Sequence, residues 1–297
     1  MMNPALTAPL LADLTFSATA LVFLLAIMVA LVSAMLRRRW SDRSGRGVLT
    51  TWGQPPALED QRAGQVSISP YRSLDLIGAA WIMGIYIWLS LAQVMMMAGA
   101  VEDERTLQMA DLWVSIFFQG FMAATVIFVM WPRLGPVAWL GLRPACWRFI
   151  ILFAPLSVGV MWMVFAALQM VGYVEWIESH GVETVQDSVR ILQSEQNLPL
   201  LGLMGFAAVV VAPVCEEVVF RGYLYGVAKR YCGPITAAFA TSLAFAAAHA
   251  SLVALLPLAL FGLLLAWLYE RTGSIWAPIA AHACFNAATV AIQLAIR

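Results

Sequence analysis

The 297-residue chain is 62% hydrophobic and 11% charged, with equal numbers of basic and acidic residues. So small a charged share excludes a soluble globular domain, and a net charge of zero excludes the basic surface that a nucleic-acid partner needs. What remains is an all-α, polytopic membrane protein.

Leu14 to Leu36 is apolar throughout and is followed by Arg37-Arg38-Arg39. It reads as a first spanning helix, because a cleaved leader carries its charges ahead of a shorter apolar core. The chain then turns polar from Trp40 to Ser73. Three further spans are expected at Leu74–Ala98, Leu112–Trp131 and Phe149–Gly172. Tyr173–Asn197 is a polar loop with five acids and one arginine, and it has room for a surface helix near Val185–Gln196. Pro199–Phe220 is the fifth span. After Gly233-Pro234 come Ile235–His249, Leu252–Tyr269 and Ile275–Ile296, which brings the count to about eight; the sixth is short and Pro257 interrupts the seventh. The chain divides at this level into a scaffold, residues 1–198, and a polar-bearing core, residues 199–297.

With eight spans, one side of the membrane collects 14 of the 17 basic residues, including Arg37 to Arg72, Arg133, Lys229, Arg230 and Arg271. Cytoplasmic loops carry the excess of Lys and Arg, so this side is the cytoplasm and both chain ends lie outside. A single lysine among so many arginines points to a bacterial plasma membrane. The four cysteines, Cys146, Cys215, Cys232 and Cys284, show no CxxC or zinc spacing and read as thiols buried in or beside apolar segments.

Polarity inside the core helices asks for a reason, since a charge deep in hydrocarbon costs on the order of 2.5 to 3.5 kcal/mol. Glu216 and Glu217 lie in the fifth span with Arg221 just past its end, His249 closes the sixth, and His282 with Asn286 lies in the eighth. Counted inward from the basic ends of the helices, Glu216 and His249 lie about 20 Å deep and His282 about 16 Å, so all three reach the middle of a bilayer. Glu217 and Arg221 are four apart and form an intrahelical ion pair, which leaves Glu216 without a basic partner on its own helix. Phe245 and His249 share a face, as do His282 and Asn286. A carboxylate with an imidazole can take a proton from water, and a second imidazole with an amide can hold an oxyanion. One Glu and two His, namely Glu216, His249 and His282, equally make a zinc set with an open position. The spacing leaves both routes open, although no HExxH is present.

These residues carry a resemblance. Glu216-Glu217-x-x-x-Arg221, Phe245-x-x-x-His249 and His282-x-x-x-Asn286, in this order and each in an apolar helix, resemble the three motifs of the CPBP intramembrane proteases, which include the type II CAAX prenyl endopeptidases and bacteriocin-processing or immunity proteins. The resemblance spans roughly Leu200 to Asn286. It implies an intramembrane endopeptidase in which Glu216 and His249 activate water, His282 and Asn286 stabilise the oxyanion, and Glu217 and Arg221 are structural. It also implies a peptide or membrane-protein substrate and a cavity reached from the cytoplasmic side. No cofactor is needed in this mechanism, with Zn2+ as the alternative. A binding or immunity protein of the same fold, and a proton-coupled transporter using the same groups as a relay, are the competing readings. The crowding of polar residues into one half counts against a transporter built from repeats.

Overall fold

The computed structural model describes residues 4–43, 66–99, 108–142, 147–180 and 187–296. The acidic run at 102–104, Cys146 and most of the 40–73 loop lie outside them. Among the described residues every regular element is helical: α1 Pro4–Arg43, α2 Leu74–Gly99, α3 Met109–Met130, α4 Pro136–Trp139, α5 Trp147–Met170, α6 Tyr173–Ser179, α7 Asp187–Ser194, α8 Leu198–Cys232, α9 Pro234–Ala247, α10 Leu252–Thr272 and α11 Trp276–Ala295. Seven are long and apolar enough to cross a membrane, and α9, expected as the sixth of eight spans, has only 14 residues. The chain is a multi-pass membrane protein.

Two expectations change. The fifth span runs on past Phe220 to Cys232, because neither a glycine turn nor a proline stops it before Gly233. There the chain turns sharply: Gly233 has φ 85°, a left-handed value that suits glycine, and Pro234 starts α9 at its first position. Pro257 does not interrupt α10. Without its N–H the carbonyl of Val253 loses its helical donor, and the Tyr173 hydroxyl donates to it at 3.3 Å.

The core helices pack tightly. α9 lies between α1 and α10, α11 lies against α5, and α3 follows α8. At the α9–α10 contact, a Cβ on Gly262 would stand 2.8 Å from Ser242 Cβ, so only glycine permits this approach.

The end of the bundle that holds Arg133 and Lys229 is tied by buried polar bonds. Lys229 Nζ donates to Glu270 at 2.6 Å and to the Val66 carbonyl at 2.8 Å, and Arg133 pairs with the buried Asp75, which also accepts from Tyr223. Tyr71 donates to the Gly222 carbonyl at 2.5 Å and accepts from Trp139 at 2.9 Å. Burial pushes the Tyr71 phenol well above its ordinary range, so it stays protonated and keeps donating.

Candidate active site

α8 carries the carboxylates and is not uniformly α-helical. Ala207–Val211 and Val218–Tyr225 are π-helical, with Glu216 and Glu217 in the α-helical turn between them. Such insertions are frequent at functional sites because they rotate the side chains that follow. The first one combines with Pro213. Ala212 donates to Ala207 in the π pattern, so the partner of the Ala208 carbonyl would be residue 213, which has no N–H. Asn286 fills the vacancy, its Nδ2 donating to Ala208 O at 2.7 Å.

Glu217 is fully buried, with Arg221 1% and His282 4% exposed. Its Oε1 accepts from Arg221 Nη1 at 2.8 Å and lies 2.9 Å from His282 Nδ1. A carboxylate only accepts, so Nδ1 of His282 holds the proton in this pair and Nε2 is the nitrogen left to act elsewhere. Arg221 also donates to the Gly262 carbonyl at 3.2 Å and lies 4.5 Å over the Phe245 ring. Phe245 therefore serves as a wall: it meets Arg221 with its face and approaches His249 and His282 with centroids 4.9 and 5.9 Å away.

His249 was expected inside a spanning helix and instead lies two residues beyond the end of α9. The helix stops there because Ala250 takes φ 46° and Ser251 is extended. The ring of His249 turns back onto the Phe245 carbonyl, with Nδ1 at 2.8 Å. A carbonyl cannot donate, so Nδ1 carries the hydrogen and neutral His249 presents an unprotonated Nε2. Glu216 is half-buried, yet its Oε2 is buried without a hydrogen-bond partner among the described residues.

These groups share one level of the bundle. Every residue from Glu217 to Val227 is buried, whereas from Gly202 to Glu216 only Pro213 is. The same change occurs on α11 just after His282, and on the α9 side between Ala247 and His249. The half that holds Arg133 and Lys229 is packed shut, and the polar residues lie where the opposite half opens.

The zinc alternative does not fit this arrangement. Among the described residues no three His, Cys, Asp or Glu side chains gather closely enough to hold a metal ion. His282 Nδ1 and Glu217 Oε1 already face each other.

Some relationships were not legible in the sequence. The Glu217–His282 contact joins residues 65 positions apart, and no local pattern announces it. Asn286 on Ala208 had a signal, the proline five residues after Ala208. Tyr86 on α2 was not singled out at all, although its ring packs against Phe220, four residues beyond Glu216 on α8.

Comparison with known proteins gives two findings. Residues 198–288 match the family described as type II CAAX prenyl endopeptidase Rce1-like. The chain is also similar to a Bacillus subtilis (strain 168) protein bearing the name "Putative membrane peptidase YdiL", 28% identical over 204 residues that cover 66% of this chain and 77% of the relative. No solved structure matches the chain at a significant level.

Proposed function

We propose that this chain, whose residues 198–288 match the family described as type II CAAX prenyl endopeptidase Rce1-like, is an intramembrane endopeptidase working by a glutamate-activated water. The observation that carries the proposal is the division of labour between adjacent carboxylates. Glu217 gives Oε1 to both Arg221 and His282, whereas Glu216, at the edge of the packed region, makes no ion pair or hydrogen bond among the described residues; each carboxylate keeps one buried oxygen, Oε2, without a partner.

In this reaction the Glu216 carboxylate, with His249 Nε2, takes a proton from water as the water oxygen bonds to the carbonyl carbon of the scissile peptide. The carbonyl oxygen becomes an oxyanion held by His282 and Asn286. His282 can donate to it only from Nε2, and since Nδ1–H is engaged with Glu217, the donating form is the imidazolium. The C–N bond then breaks, and the proton held by Glu216 passes to the leaving nitrogen. One water is consumed, and an acid and an amine are released. No step passes through a metal.

The division of roles at residue 198/199 is retained as part of this proposal, and the start of the family match supports it. It is a division of function, since α1, α3 and α5 all pack on core helices. A bacterial inner membrane with both termini outside is the orientation that the arginine distribution supports. The burial pattern favours approach to Glu216 from the end that carries the termini. That end and the cytoplasmic access implied by the family resemblance are opposite under this orientation. Labelling of a cysteine placed at Val214, by an impermeant maleimide added to intact cells or to inverted vesicles, decides which side reaches the site.

The deciding experiment is cleavage of membrane-spanning peptides by the purified protein, wild type beside Glu216→Gln and His249→Ala. Loss of cleavage in both is expected. Persistent cleavage in either variant removes that residue from the mechanism, and peptide binding without any cleavage by the wild type favours a binding or immunity protein of the same fold.

A further inference from the structure

We propose that Tyr86 on α2 holds the water that Glu216 activates; this deepens the hydrolytic reading of Glu216 and rests on it. A buried carboxyl oxygen without a donor is costly, and a bound water is the local remedy where polar partners converge. Donors for such a water are scarce around Glu216. At three and four positions along its own helix stand Pro213, Val219, Ala212 and Phe220. The guanidinium of Arg221 is engaged with Glu217 and Gly262.

α2 supplies what is missing. The ring of Tyr86 is held between Phe220 of α8, with centroids 5.2 Å apart, and Phe118 of α3, at 6.5 Å. Phe220 stands four residues beyond Glu216 on α8, so the ring contact brings Tyr86 to the stretch of α8 that carries Glu216, and no direct hydrogen bond joins the two side chains. One turn further along the same face of α2, Ser90 donates to the Ala248 carbonyl at 3.3 Å. α2 therefore touches the neighbourhood of Glu216 with Tyr86 and the turn that carries His249 with Ser90. A water here donates its two hydrogens to Glu216 Oε2 and His249 Nε2 and accepts one from Tyr86.

The other titratable groups around Glu216 are Cys215, Glu217 and Arg221 on α8, His249 after α9 and His282 on α11; beyond its first turn α3 contributes apolar side chains, Ser115, Gln119 and Thr125.

The test is Tyr86→Phe, which keeps the ring and removes only the hydroxyl, in full-length protein in detergent. With an internally quenched apolar transmembrane peptide as probe, kcat is expected to fall about tenfold and KM to stay within about twofold, the effect of losing one hydrogen bond to a reacting water. Infrared difference spectra give a second readout that needs no turnover. The carboxyl band of Glu216, identified by its loss in Glu216→Gln, is expected to move in Tyr86→Phe as its bridging water loosens. An unmoved band together with wild-type kcat overturns the Tyr86 assignment and leaves Glu216 in place. Cleavage that survives in Glu216→Gln overturns the hydrolytic reading instead, whatever the band does.

Discussion

His282 Nδ1 stands 2.9 Å from Glu217 Oε1, the same oxygen that accepts from Arg221 at 2.8 Å. One carboxylate thus orients an imidazole on α11 and neutralises a guanidinium on its own helix, and its neighbour Glu216 is left outside the pair. The two glutamates differ in consequence as sharply as they differ in surroundings.

Glu217→Gln is expected to destabilise the fold by about 3 to 5 kcal/mol, because it strands a buried guanidinium without its countercharge. Glu216→Gln breaks no ion pair and is expected to leave thermal unfolding in detergent nearly unchanged while lowering the cleavage rate by a factor of about 10² to 10⁴. Equal loss of stability in the two variants would show that the carboxylates are not divided in this way.

Asn286→Ala removes the donor that satisfies Ala208 O, an orphan left by the π turn and Pro213. The expected cost in stability is about 1 to 3 kcal/mol, and the expected loss of kcat is a factor of about 10² to 10³ if the amide also meets the oxyanion. Asn286→Asp, which cannot donate while ionised, should be as poor a catalyst. Recovery of activity in the aspartate variant would confine Asn286 to a packing role.

Gly262→Ala places a methyl group 2.8 Å from Ser242 Cβ at a close contact of α9 with α10. Forcing that contact apart is expected to cost about 1 to 3 kcal/mol and to disturb the carbonyl that receives Arg221. Ser242→Gly in the same chain should restore much of the loss, as measured by thermal unfolding of the single and double variants.

A chelator is expected to leave cleavage unaltered, since Glu216, His249 and His282 are not gathered as a ligand set. Activity abolished by chelation and restored by Zn2+ would require these three groups to come together in a form that the present arrangement does not adopt.

Composition and local spacing alone determined that the chain is helical and membrane-spanning, and roughly where seven of its long helices run. They could do so because hydrocarbon demands an unbroken apolar stretch about 20 residues long, and demands a reason for every charge within it. The same logic singled out Glu216, His249, His282 and Asn286 and paired Glu217 with Arg221, since four residues along one helix is a local distance. Tertiary structure decided what crosses between helices: that His282 joins Glu217, that Asn286 serves Ala208, that His249 sits past its helix on a left-handed turn, and that Tyr86 approaches from α2. Those contacts depend on how helices tilt, slip and insert π turns against one another, which hydropathy does not encode because lipid and protein interior look alike to an apolar side chain.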